Sequence, residues 1–122
     1  MVTTTDNLAA DGAQSVRVVF CTCPDEAAAG RLASGLVEER LAACVNILPA
    51  IRSIYAWRGE VQDEAETLMI IKTTRASYPS AEAWLREHHP YEVPEVLSIR
   101  VEDGLAAYLD WVGEAVCPDK AK

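Results

Sequence analysis

The chain is 122 residues long, 50% hydrophobic and 25% charged, with nineteen acidic residues against eleven basic ones and a formal net charge of −8. That length is one domain, able to bury a real core without staples, and those proportions are globular rather than disordered. The acidic balance excludes a general nucleic-acid binder, which needs clustered Lys and Arg to neutralise phosphates. No run approaches the roughly 18 apolar residues of a membrane helix. Residues 1–15 contain no Lys or Arg and no apolar run, unlike a signal peptide. The expectation is a cytoplasmic protein with no membrane partner, so Cys21, Cys23, Cys44 and Cys117 read as thiols rather than disulfides.

Residues 1–15, rich in Thr, Asp, Gly and Ala, read as a disordered lead-in, and 117–122 as a short tail, which leaves one domain over 16–116. Val16, Val18, Val19, Phe20 and Cys21 form the β-branched and apolar run of a central strand. Cys23-Pro24-Asp25-Glu26 opens a helix, with Pro expected in its first turn and two acids complementing its positive end. Leu32, Leu36, Val37 and Leu41 then carry an apolar stripe to about residue 40. Residues 43–57 are β-rich, with Pro49 demanding an edge or a bulge. Arg58-Gly59-Glu60 makes a tight turn, and 61–74 returns as a second strand. At about 3.3 Å per residue the two arms reach nearly 50 Å, longer than a compact domain of this size, so the hairpin must bend or lie on another subunit. Tyr78, Ala81, Trp84, Leu85 and His88 mark a second helix ended by Pro90. Leu97, Ile99 and Val101 alternate in a last short strand, and Leu105, Tyr108, Leu109 and Val112 mark a terminal helix. The order βαββαβ plus a C-terminal helix predicts an α+β, ferredoxin-like sandwich with sheet order 4-1-3-2.

That topology brings the end of the first strand, Cys21-Thr22-Cys23, and the end of the second helix, His88-His89, to one edge of the sheet. Thiolate with imidazole suits copper or zinc better than magnesium or calcium. The bland reading is that buried Cys acts as a small hydrophobe and a terminal His serves helix carbonyls. Neighbouring histidines on a helix point about 100° apart, so both reach one ion only if the helix unwinds before Pro90. Cys44 reads as core filler, and Cys117 as an exposed thiol. The acids Glu60, Asp63, Glu64 and Glu66 read as a solvated face, and Trp57 as an interface residue. None of the common hydrolase, protease or nucleotide motifs occurs, so an enzyme is not expected.

Five segments carry a family resemblance. They are Cys21-Thr22-x-Pro24-Asp25-Glu26, Arg40-Leu41-Ala42-Ala43-Cys44-Val45-Asn46, Ser53-Ile54-Tyr55-x-Trp57-x-Gly59-Glu60-Val61, Ile71-Lys72-Thr73, and His88-His89-Pro90-Tyr91-x-Val93-Pro94-Glu95. In this order they resemble the CutA family of divalent-cation tolerance proteins over nearly the whole of 16–116. The resemblance implies a homotrimer similar to PII-type signalling proteins, with the long hairpins paired between subunits. It also implies binding of copper(II), or of zinc or another divalent cation, at Cys21, His88 and His89, in the service of metal tolerance. Cys23 departs from the family pattern. The alternative function is a PII-like signalling or scaffold trimer that takes a small ligand or a partner peptide, with metal incidental.

Overall fold

The computed structural model describes residues 11–116. Residues 1–10 of the expected lead-in and the whole of the expected tail 117–122, Cys117 included, lie outside those residues. The elements, in chain order, are β1 (Val16–Cys23), α1 (Glu26–Glu38), β2 (Cys44–Trp57), β3 (Glu60–Thr74), α2 (Tyr78–His88), β4 (Leu97–Arg100) and α3 (Ala106–Ala115). The four strands form one antiparallel sheet in the order β2-β3-β1-β4, the ferredoxin-like arrangement expected from the sequence.

Sheet parity decides what each strand residue meets. Val19, Cys21, Cys23, Met69 and Ile71 lie on the face covered by α1 and α2, where they pack with Ala29, Leu32, Leu36, Ala81 and Leu85 in one buried core. α1 starts at Glu26 because Asp25 caps it, its Oδ1 accepting the Ala28 N–H at 2.8 Å. Pro24 therefore precedes the cap instead of standing in the first turn. α1 stops at Glu38, short of residue 40, and Arg40 takes a φ of 61° as the chain turns into β2.

The hairpin has arms of 14 and 15 residues joined by Arg58 and Gly59, whose φ values of 53° and 83° make a two-residue turn matching the strands' twist. The register slips between Leu48 and Ile51, where Pro49 supplies no N–H and Ala50 adopts a φ of 61°. The expected bulge at Pro49 is therefore present. On the opposite sheet face α3 covers one end: Tyr108 meets the thiol of Cys44 there. Cys44 is half-buried, not core filler, because its register partners Lys72 and Val18 mark it as lying on that second face. The rest of that face carries Phe20, Leu68 and Ile70 half-buried beside exposed Leu48, Leu97 and Ile99.

Residues 11–15 are tied to the domain. The Ser15 carbonyl accepts the Arg75 N–H at 2.8 Å, the Ala13 carbonyl accepts the Ala76 N–H at 3.0 Å, and Asp11 meets Arg17 at 2.6 Å.

Candidate metal centre

Proline decides where the histidines go. The residue before Pro is driven out of the helical region, so α2 ends at His88 and His89 takes ψ 141°. His89 leaves the helix path and its buried ring reaches β1. His88 stays on the helix, with Nδ1 2.8 Å from the Trp84 carbonyl and its ring stacked on the Trp84 indole at 4.0 Å between centroids. The fold brings Cys21 and His89 together and leaves His88 outside, on the helix flank.

The third member of the cluster is Cys23. One donor atom from each of Cys21, Cys23 and His89 lies within 4.8 Å of the other two, and all three residues are buried. Cys23 Sγ is 3.8 Å from His89 Nε2. The signal for Cys23 was the period-2 alternation of β1, which puts Cys21 and Cys23 on one face of the strand.

Hydrogen bonds assign the protons. His89 Nε2 donates to the Thr22 carbonyl at 2.9 Å, and Nδ1 accepts the Tyr91 N–H at 3.0 Å, which together define a neutral ring protonated at Nε2. Burial lowers the His89 pKa, only partly offset by the Thr22 carbonyl. The neighbouring Cys23 sulfur, together with burial, pushes the Cys21 thiol far up. The neighbouring Cys21 thiol pulls Cys23 down against the opposing effect of burial. Cys23 is the thiol of the pair that loses its proton first.

An acid and phenol network adjoins this cluster, and sequence reasoning treated its acids on β3 only as a solvated face. Tyr91 donates its hydroxyl to the buried Glu66 carboxylate at 2.6 Å, and Tyr55 donates to Glu64 at 2.6 Å. Burial and the Glu66 charge raise the pKa of Glu95. Asp63 pairs with Arg52 through both oxygens, at 2.9 and 2.7 Å. Asp63, Glu64 and Glu66 thus have separate partners and do not converge on one cation.

The donor set fits a soft ion in kind and needs one rearrangement. A tetrahedral ion with metal–sulfur bonds of about 2.3 Å holds its ligand atoms roughly 3.5–4 Å apart, close to the Cys23–His89 spacing. Both imidazole nitrogens are already engaged, so Nε2 offers a metal its lone pair only after the ring proton moves to Nδ1, which breaks the bonds to the Thr22 carbonyl and the Tyr91 N–H.

Residues 17–115 match the family model described as CutA1 divalent ion tolerance protein. The chain belongs to the CutA1 family. It is 46% identical over 97 residues to the divalent-cation tolerance protein CutA of Thermus thermophilus, covering 80% of this chain and 94% of that protein. It is 48% identical over 98 residues to mouse protein CutA, and there it spans only 55% of the relative's length. Among solved structures, the Thermus thermophilus CutA1 superposes with a TM-score of 0.80 at 45% identity, covering 82% of this chain and 97% of that one. CutA1 of Oryza sativa superposes with a TM-score of 0.83 at 39% identity, covering 85% and 95%. Among the described residues no helix is long and apolar enough to cross a membrane.

Proposed function

We propose that this CutA1-family protein is a trimeric copper-binding protein serving metal tolerance, with Cys21, Cys23 and His89 as its donors. The observation that carries the reading is the convergence of two thiols and one imidazole within 4.8 Å in a buried site. Cys23 enters as the nucleophilic thiolate, Cys21 as the second sulfur, and His89 as the nitrogen released from Thr22. His88 joins only if its ring leaves Trp84. Zinc is the competing ion, because the same donors serve it and geometry, rather than affinity order, separates the two.

Calorimetric titration of copper and of zinc tests the assignment. Cys21→Ser, Cys23→Ser and His89→Gln should each weaken binding at least tenfold, while His88→Gln leaves it within twofold. Identical isotherms for wild type and the two Cys variants would overturn it.

The trimer is supported by the second sheet face and the hairpin, which leave Trp57 50% and Val61 77% exposed in the single chain. A cytoplasmic location is supported by the free thiols Cys21, Cys23 and Cys44. Relatives occupy other compartments by description, since the Archaeoglobus fulgidus protein is called periplasmic.

The saturated hydrogen bonding of His89 favours a second reading, in which the trimer is a signalling or scaffold protein and metal is incidental. Saturable binding of a small organic ligand that survives chelators would select it.

A further inference from the structure

We propose that Arg17, Arg75 and Arg100 form a binding site for the phosphate group of a small molecule, and that Asp11 is the chain's own occupant of that site. In a chain of net charge −8, three of the eight arginines converge on a single carboxylate. Asp11 Oδ2 lies 2.6 Å from Arg17 Nη2 and 3.4 Å from Arg75 Nε. Oδ1 lies 3.7 Å from Arg100 Nε, is buried, and makes no hydrogen bond among the described residues. A single carboxylate is a poor match for the guanidinium forks of Arg17 and Arg75, since it carries one charge and leaves one of its oxygens unsatisfied. A phosphate presents three oxygens and up to two charges to the same donors, and planar guanidinium is the side chain best matched to it.

The surroundings suit an organic phosphate. Arg17 and Arg75 also line a surface cavity of about 550 Å³ together with Tyr78, Pro79 and Ser98. That volume falls within the range of small-molecule sites, roughly 300–1,000 Å³. Tyr78 and Pro79 belong to the first turn of α2, which holds no acid, so the positive end of that helix dipole lies beside the cavity. One turn further on, Glu82 accepts the Tyr78 hydroxyl at 3.0 Å. Arg17 is fixed in place, its side chain only 13% exposed and its Nη1 bonded to Ser15 Oγ at 3.0 Å.

Sheet parity keeps this site apart from the proposed subunit face. Arg17, Ser98 and Arg100 share register rows with Val19 and Thr73 on the helix-covered side of the sheet, not with Phe20 and Leu97 on the other. The site is also independent of the thiol and imidazole cluster, which lies at the far end of β1.

Calorimetric titration of inorganic phosphate and of phenyl phosphate into the full chain tests the proposal, with folding of every variant checked by circular dichroism. Asp11→Asn removes the internal competitor and should bind phosphate at least tenfold more tightly than wild type. Adding Arg75→Gln or Arg100→Gln to Asp11→Asn should reverse that gain. Tighter binding of phenyl phosphate than of phosphate assigns the cavity to the organic part of an ester, and equal binding assigns the site to free phosphate. The proposal is overturned if folded Asp11→Asn shows no saturable binding, or if its binding is indifferent to both arginine substitutions. Should Asp11→Asn not fold, Asp11→Ser carries the same test. Saturable binding that is lost when Arg75→Gln is added supports the site, and no saturable binding overturns it.

Discussion

Single residues in this protein are set by which neighbour satisfies them. Glu66 keeps a carboxylate in a buried position because the Tyr91 hydroxyl donates to it. Tyr91→Phe removes that donor and leaves a buried charged acceptor short of a partner, which should destabilise the fold by about 1–3 kcal/mol in denaturant titrations. Asp11 makes stability depend on pH. The hydrogen bond from Arg17 holds its carboxyl at about 2, below the ordinary 3.8, so the folded state binds this proton less readily than the unfolded chain does. The stabilisation is therefore complete above 3.8 and is lost as pH falls toward 2. The gap in thermal midpoint between wild type and Asp11→Asn should be open at neutral pH and close across that window. A gap that persists below pH 2 would mean that the contribution is not electrostatic.

At the scale of elements, close approach and turn chemistry decide the geometry. A Cβ on Gly35 of α1 would stand 2.4 Å from Cη2 and Cζ2 of Trp84 on α2, whereas a Cβ on Gly30 of the same helix would meet nothing within 4 Å. The two glycines therefore make an internal comparison. Gly30→Ala should stabilise by about 0.5–1 kcal/mol, the helix-propensity difference. Gly35→Ala should destabilise by about 1–3 kcal/mol, because Trp84 is held by its stack on His88 and cannot move away freely. Denaturation midpoints giving both variants the same sign would refute this account of the α1–α2 contact. The same contact explains why His88 serves packing where its neighbour serves the cluster.

For the whole molecule, the notable property is the apolar surface that one chain leaves uncovered. Leu97 at 56% and Ile99 at 49% exposure lie on an edge strand, on the same sheet face as Phe20 and Leu48. Exposed apolar area of this kind, together with a hairpin that reaches beyond the core, marks an interaction face. Trp57 stands at the end of that hairpin, beside its turn, so Trp57→Ala should weaken the proposed trimer while leaving copper uptake within twofold. Light scattering against concentration reads the first outcome and calorimetry the second. An unchanged assembly would remove Trp57 from the interface.

Strand and helix identities were legible in the sequence because they rest on local patterns: the β-branched run at Val16–Cys21, the Pro49 discontinuity, the Arg58-Gly59 turn, and Pro90 after the second helix. Element order then admitted few topologies, and the ferredoxin-like sheet is among the simplest that accept it. Which side chains meet was a different matter. Helical spacing alone could not assign His88 to Trp84 and His89 to Cys23, because the division depends on the backbone leaving the helix one residue before Pro90. Nothing local to Asp11, Arg17, Arg75 or Arg100 announces their convergence either, since they come from four separate segments. Short-range sterics and periodicity are written in neighbouring residues, whereas a cluster of charges or donors exists only after distant strands have been laid side by side.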